Sequence, residues 1–468
     1  MGMREMLRSV RDAIRRRPGA AAASVWFVLV IGAPLVALAA GIRPVPGENR
    51  TVAAAPDLSA GRVLDTGMYE EAAAWFEDRL PGRDHAVEAD AWIDYRLFGD
   101  SPNPEVSLGD DGWLYLTRAV RAECTTPERA AEVAAELDLI TRVGAAAGVD
   151  VVLVVAPNKA AIHPEHLGGL ADDERCAAAN RALLRDALAG SPAFVDTWTA
   201  LEEVRESAGE RLYHRTDTHW NRLGASFGAA ALIEHLEPGL WDPEAVVRTG
   251  TQQRLGDLTR LMGLSSREEV AAYRVRRGVD PVVDRVPLGD GHEAVVSTMA
   301  GAAVVPGRAV VVHDSMGEVI VPLLRPYLEE AATVRTRAGS SFGTGGAWFA
   351  ELAGDADLLV LQTVERELVA RFDGTLLEDV VGGLADRLPH TEVPIGEPFD
   401  SGAGRFLVVS GTPGTRVTLA SGDTVLEAEI GAAGTAVFDA AGLTGDAVVG
   451  GGGAPGADVT GAVLVTVP

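Results

Sequence analysis

The chain has 468 residues, 47% of them hydrophobic and 23% charged, which is enough apolar material for a large buried core and too much for wholesale disorder. Its formal net charge of −26 speaks against nucleic acid as a partner, because neutralising phosphates takes basic patches. The same acidity makes a strongly anionic polymer an awkward substrate unless the cleft is locally basic.

In chain order, residues 1–19 come first, with Arg4, Arg8, Arg11, Arg15, Arg16 and Arg17 against Glu5 and Asp12, a local +4 that leaves −30 on the rest. Residues 20–42, "AAAASVWFVLVIGAPLVALAAGI", are an uncharged apolar run of 23, and a helix needs about 20 residues to cross the hydrocarbon layer. The arginine flank sets the amino end in the cytoplasm and the remainder outside. A single-pass transmembrane signal anchor is the expectation. Ala37-Leu38-Ala39 also resembles a cleavage site, so a removed signal peptide and a secreted or periplasmic body is the alternative. Residues 43–65 carry Pro and Gly without periodicity and read as a stalk. The two cysteines, Cys124 and Cys176, fall on the outer side, where thiols oxidise, and are expected to form one disulfide.

Periodic order begins near residue 66. Tyr69, Ala73, Trp75 and Phe76 recur at helical spacing, and a second helix is expected over 84–98 with Trp92, Ile93, Tyr95 and Leu97. "LGDDGWLYL" (108–116) reads as a turn at Asp111-Gly112 opening into a strand. Helices are then expected at 128–147, 174–190 and 317–331, between the runs "VDVVLVVAP" (149–157), "AFVDT" (193–197), "AVVVHD" (309–314) and "ADLLVLQT" (356–363). Near-continuous β-branched runs suit parallel strands buried on both faces. Strands alternating with helices imply a doubly wound α/β/α sheet with its site at the strands' carboxyl ends. Residues 245–300 look like an insertion or edge region. From about 393 short alternating strands separated by Gly, Pro and Asp predict a small C-terminal β-sandwich, whose only aromatics are Phe399, Phe406 and Phe438. The expected domains are therefore 66–392 and 393–468, after the tail, span and stalk.

"YHRTDTHWN" (213–221) offers Asp217 and His219 one residue apart, which in an extended segment project to the same side. A carboxylate so placed can hold one imidazole nitrogen and stabilise the imidazolium that forms on proton transfer. Taken alone the pair reads more readily as turn chemistry, since Asp caps and orients turns routinely. Asn221 is a suitable cap for the helix that follows. Ser315, in "AVVVHDSMGEVI", stands where a buried strand meets a helix, a place for a nucleophile beside backbone N–H groups, with Gly317 allowing close approach. Asp314 or Ser315 could equally cap that helix. Two rivals carry less: "GSSFG" (339–343) matches a nucleophile elbow, with Asp357 and His390 completing a triad, but lacks the strand and helix context. A zinc site at His214, Asp217 and His219 lacks the helical ligand spacing. Metal and cofactor are not expected.

The blocks "FEDRLPGRD" (76–84), "GDDGWLYL" (109–116), "APNKAAIHPEHL" (156–167), "YHRTDTHWN", "VVVHDSMG" (310–317) and "LVLQTVERE" (359–367) occur in an order that resembles the alginate O-acetyltransferase-like family of SGNH-hydrolase-like enzymes. The resemblance covers roughly 60–375. It implies an SGNH-like fold and an extracytoplasmic polysaccharide O-acetyltransferase, with Ser315 as nucleophile, His219 as general base and Asp217 as orienting acid. It also implies a membrane-bound O-acyltransferase as acetyl donor and a glycan acceptor. Trp220, Lys159, Tyr327 and Arg366 are the candidates for lining the acceptor groove, with core packing or surface charge as the alternative for each. His313 stands where the family has glycine. An acetylesterase with the same triad, or a catalytically silent glycan-binding scaffold, are the competing expectations.

Overall fold

The computed structural model describes residues 53–57, 59–62, 65–301, 303–336, 346–401, 405–422, 424–440, 446–451 and 459–467, with a few isolated positions elsewhere. The expected tail lies outside the described residues, and so do most of the expected span and much of the stalk. Among the described residues no helix is long and apolar enough to cross a membrane. The described chain falls into two compact units, Met1–Ser107 with Leu255–Arg267, and Leu108–Arg254 with Glu268–Pro468.

In the first unit, α1 (Thr66–Glu77) begins where the sequence suggests. Asp65 caps it, accepting a 2.9 Å bond from the Gly67 N–H. Helix α2 (Arg83–Ile93) runs on into a wider helical turn over Asp94–Phe98; together they fill the helix expected over 84–98 and leave Trp92, Leu97 and Phe98 exposed.

The second unit is built on a seven-stranded sheet. Its strands are β1 (Asp150–Ala156), β2 (Phe194–Val195), β3 (Val282–Pro287), β4 (Glu293–Thr298), β5 (Val305–His313), β6 (Leu328–Arg335) and β7 (Leu358–Val364), in the order β2-β1-β7-β5-β6-β4-β3. The four β-branched runs read from the sequence are β1, β2, β5 and β7. Along β1, Val151, Leu153 and Val155 enter one apolar cluster while Val152, Val154 and Ala156 enter another. Alternate side chains thus bury opposite faces, each valine contributing about 1.5–3 kcal/mol. Helix α3 (Pro127–Ala146) starts under a Thr126 cap with Pro127 at its first turn, α4 is Arg175–Leu188, and α5 is Arg222–Leu236.

Two expectations are corrected. The helix at 317–331 ends as α6 (Gly317–Leu324), and the chain then becomes strand β6, parallel to β5 and antiparallel to β4. Pro326 cannot donate into a continuing helix, and sheet pairing overrides the weak strand propensity of "LEEAATVR". Residues 282–298 are β3 and β4, whose antiparallel pairings make the sheet mixed instead of purely parallel. They lie at one edge of the sheet, as expected of an insertion or edge region, while Val246–Arg254 and Glu268–Val275 form a separate antiparallel pair.

The C-terminal strands form two four-stranded sheets. Leu407, Val409 and Leu464 of one meet Val417, Leu419 and Val449 of the other in a single core, which makes a sandwich. It starts earlier than position 393, because His390–Glu392 already pairs with Val459–Val465. Phe406, Val408 and Val465 turn outward into the core of the α/β layers, and Phe399, Phe406 and Phe438 are all buried, so none offers a sugar-stacking platform.

Candidate active site

Residues 212–221 double back on themselves. The Asn221 N–H donates to Leu212 O (2.9 Å), the His214 N–H to His219 O (3.3 Å), and Tyr213 and Trp220 bridge between them. Asn221 then caps α5, its side-chain oxygen accepting from the Gly224 N–H at 2.9 Å, as its residue type suggests. Lys159, in the turn after β1, is 5% exposed; its Nζ donates to the carbonyls of His214 (3.2 Å), Arg215 (3.2 Å) and Asp217 (2.8 Å) and lies over the Tyr115 and Trp113 rings. A buried ammonium is tolerable because these carbonyls and ring faces replace its water.

Within this loop Asp217 Oδ1 accepts from both the His219 backbone N–H (3.0 Å) and His219 Nδ1 (2.6 Å). The pair therefore meets through a local turn closed by the aspartate, and not through the extended spacing assumed from the sequence. Asp217 Oδ2 accepts twice from Arg254, from Nε at 3.0 Å and Nη2 at 2.9 Å. Burial works to raise the Asp217 pKa, but the His219 hydrogen bond and the charges of His219 and Arg254 outweigh it and hold the carboxyl far below the usual range. With Nδ1 turned to the carboxylate, proton transfer falls to His219 Nε2. His214 is buried beside Glu268, with Nδ1 3.9 Å from Oε1, and burial pushes its pKa down to about 3. An arginine against Asp217 disfavours a zinc ion there.

Strand β5 delivers the serine. Asp314, 4% exposed, accepts from the Met316 N–H through Oδ1 (2.8 Å) and from the Val364 N–H through Oδ2 (2.8 Å), so it ties the carboxyl ends of β5 and β7 together. Turn-making thus falls to Asp314. The half-buried Ser315 hydroxyl has no hydrogen-bond partner among the described residues, and none to His219. The two blocks are nevertheless joined: Trp220 Nε1 donates to Met316 O at 3.0 Å, linking the residue after His219 to the residue after Ser315. Because the Met316 N–H is committed to Asp314, it is not available to an oxyanion. Gly317 also has a steric reason to be glycine. A Cβ there would lie 2.4 Å from the Cβ and Nδ1 of His313, so the glycine makes room for the His313 imidazole.

The expected acceptor contacts separate. Trp220 and Tyr327 are fully buried. The first packs on Gly228, and the second stacks on Trp241 with ring centroids 4.7 Å apart. Both are enclosed by protein, which is the packing alternative, and Lys159 Nζ is directed at the loop carbonyls. Arg366 is placed differently: its Nη1 reaches Asn158 Oδ1 at 3.3 Å, and it lines a cavity of about 480 Å³ with Arg118, Asn158 and Cys124. Cys124 and Cys176 form the expected disulfide, with Cα atoms 4.7 Å apart.

"GSSFG" lies largely outside the described residues. Of its proposed partners, Asp357 accepts from the Arg308 N–H near the amino ends of β5 and β7, the wrong end of the sheet, while the His390 ring bonds Leu388 O. Sequence reasoning missed Arg254, Glu268 and Glu365. Buried Glu268 accepts from the backbone N–H groups of Arg215 and Thr216, at 3.3 Å each. Glu365 accepts from the Asn158 N–H (2.9 Å) and Trp198 Nε1 (2.8 Å).

Comparison with known proteins shows the resemblance to the alginate O-acetyltransferase-like family. Residues 80–292 match the family described as "SGNH hydrolase-like domain, acetyltransferase AlgX", a stretch that includes the 213–221 loop and ends before Ser315. The chain is 30% identical over 246 residues to the probable alginate O-acetylase AlgJ of Pseudomonas aeruginosa, covering 51% of this chain and 60% of that protein. It is 27% identical over 245 residues to the AlgJ of Pseudomonas syringae pv. tomato, covering 50% and 61%. The matches thus span about three fifths of these relatives' length. Among solved structures, the O-acetyltransferase domain of Pseudomonas putida AlgJ aligns at TM-score 0.40 and 20% identity, covering 58% of this chain and 98% of that one. Pseudomonas aeruginosa AlgX aligns at 0.44 and 15%, covering 78% and 90%.

Proposed function

We propose that this protein is an extracytoplasmic O-acetyltransferase that moves acetyl groups through Ser315 onto hydroxyls of an exported or cell-envelope polysaccharide. The observation that carries the reading is the 2.6 Å Asp217–His219 bond, in a loop that Trp220 fastens beside Ser315; kinship with alginate O-acetylases supports it.

In this reaction Ser315 Oγ attacks the acetyl carbonyl of the donor as its proton passes to His219 Nε2. The C–O bond to the donor's oxygen breaks, and that oxygen leaves with the proton from His219. A sugar hydroxyl then gives its proton to His219, attacks the acetyl-serine and releases Ser315, whose Oγ takes the proton back. Asp217 stays ionised throughout and stabilises the imidazolium. No cofactor is needed. Ser315 must come within hydrogen-bond reach of Nε2 in the donor complex. The donor is an acetyl group passed outward by a membrane-bound O-acyltransferase, beside which residues 20–42 would anchor the chain in the membrane. Arg366 and its cavity are the acceptor contact that remains after Trp220, Lys159 and Tyr327 are assigned to packing.

The test supplies the segment from residue 43 onward with an activated acetyl ester, with and without oligosaccharide. Acetyl appearing on the sugar, and lost in Ser315→Ala and His219→Ala, is the expected result. Acetate release indifferent to acceptor would make the protein an esterase. Turnover unchanged in Ser315→Ala would refute the serine mechanism.

A further inference from the structure

We propose that Arg254 is a positioning residue for this reaction, gripping Asp217 Oδ2 so that the carboxylate presents Oδ1 to His219. The inference rests on the reading above and adds to it a residue from a segment that looked like a mere insertion.

Arg254 closes the strand Val246–Arg254, and its cross-strand partner in the antiparallel pair is Glu268, the first residue of Glu268–Val275. These two facing residues grip the same loop with opposite charges. Arg254 holds the Asp217 side chain with two nitrogens, at 3.0 and 2.9 Å. Glu268 holds the Arg215 and Thr216 N–H groups and, at 3.0 Å, the Thr216 hydroxyl. A two-pronged guanidinium fixes the plane of a carboxylate as well as its place. Asp217 is 1% exposed, so its carboxylate is held by protein groups and not by bulk water. If Arg254 is removed, Oδ2 loses both of these bonds, and the carboxylate is freer to rotate away from the line of the imidazole.

Arg254 also sets the local charge. Facing Asp217 and His219 are Lys159, bound to the loop carbonyls, His214, and Glu268 with its partner Arg211 at 3.0 Å; Asp257 follows Arg254 by three positions in the chain. Lys159 is spent on three carbonyls and Arg211 on Glu268. Arg254 is a cation in direct contact with Asp217, and its charge acts against the gain of a second positive charge beside it.

The test compares the wild-type chain with R254Q and R254K. In R254Q, kcat falls by between about 10- and 100-fold, the scale of a misplaced catalytic group, while KM for the acceptor holds, as expected of a guanidinium engaged by Asp217. The acid limb of the kcat/KM profile moves to higher pH, because protonation of the pair is no longer opposed. R254K keeps the charge but not the fork, so its limb stays in place while kcat still drops. A second readout needs no activity: the low-field proton resonance of the Asp217–His219 bond is present in the wild type and weakened or lost in R254Q. An R254Q protein with wild-type kcat, limb and low-field proton overturns the proposal, and so does a wild type without that resonance. Should R254Q fail to fold, R254K decides, since wild-type kcat in it overturns the role of the fork. A failure of the acetyltransferase reading is told apart by equal turnover in wild type and Ser315→Ala, and the resonance then still judges the grip on Asp217.

Discussion

Replacing Gly317 with alanine sets a methyl group 2.4 Å from the Cβ and Nδ1 of His313 and 2.5 Å from its Cγ. These are the root atoms of a side chain that is 5% exposed and bonded through Nδ1 to Asp314 O at 2.8 Å. His313 therefore cannot swing away cheaply. Overpacking of this kind costs about 1–3 kcal/mol, partly offset by the helix preference of alanine, worth less than about 1 kcal/mol at a first turn. We expect Gly317→Ala to lower the urea midpoint with an unchanged m value, and to cut acetyl transfer at least about tenfold, because Asp314 and Ser315 lie between the colliding residues. His313→Gly removes the obstacle, so H313G/G317A should be less destabilised than the two single changes together by about 1–3 kcal/mol. A Gly317→Ala midpoint equal to wild type, or strict additivity in the double variant, would refute the claim that His313 is what makes position 317 a glycine.

Trp220→Phe shrinks a fully buried ring and removes the Nε1 bond to Met316 O, which keeps only the 3.2 Å bond from the Val319 N–H; it should cost about 1–3 kcal/mol and lower kcat more than KM, a split that steady-state kinetics resolves. Asp217→Asn should reduce kcat by up to about 10⁴-fold, measured at saturating donor. Glu136, half-buried on α3 and accepting from the Gly374 N–H at 3.1 Å, has its pKa pushed up to about 7, chiefly by burial. A carboxyl raised above its unfolded value stabilises the protein at pH below that unfolded value and loses this contribution as pH rises through about 7. Urea melts at pH 5 and pH 8 should therefore show Glu136→Gln flattening the pH slope by roughly 1–2 kcal/mol, discounted for partial exposure.

Much of the molecule is legible locally. The runs at 149–157 and 309–314 are β1 and the buried end of β5, because alternating side chains that are all apolar can only serve a sheet covered on both faces. Asn221 caps its helix for a reason of residue type, and Cys124 meets Cys176 as the two cysteines of the sequence. Asp217, His219 and Ser315 could be singled out because a turn and a strand end are local features.

What a local pattern cannot carry is the identity of a partner far along the chain. Arg254 reaches Asp217 across 37 positions and Trp220 reaches Met316 across 96, and neither pairing leaves a periodic mark in the sequence. Burial decided the rest. Trp220, Tyr327 and Lys159 are residue types that could face a glycan, yet once enclosed each must spend its polar atoms on the protein itself, on Met316 O, Asp242 and three loop carbonyls. Sequence by itself determined four of the seven central strands, the Asn221 cap and the candidate site residues. Tertiary structure alone decided which of them are held for chemistry and which are spent on packing, because that depends on what else the fold brings within 3 Å.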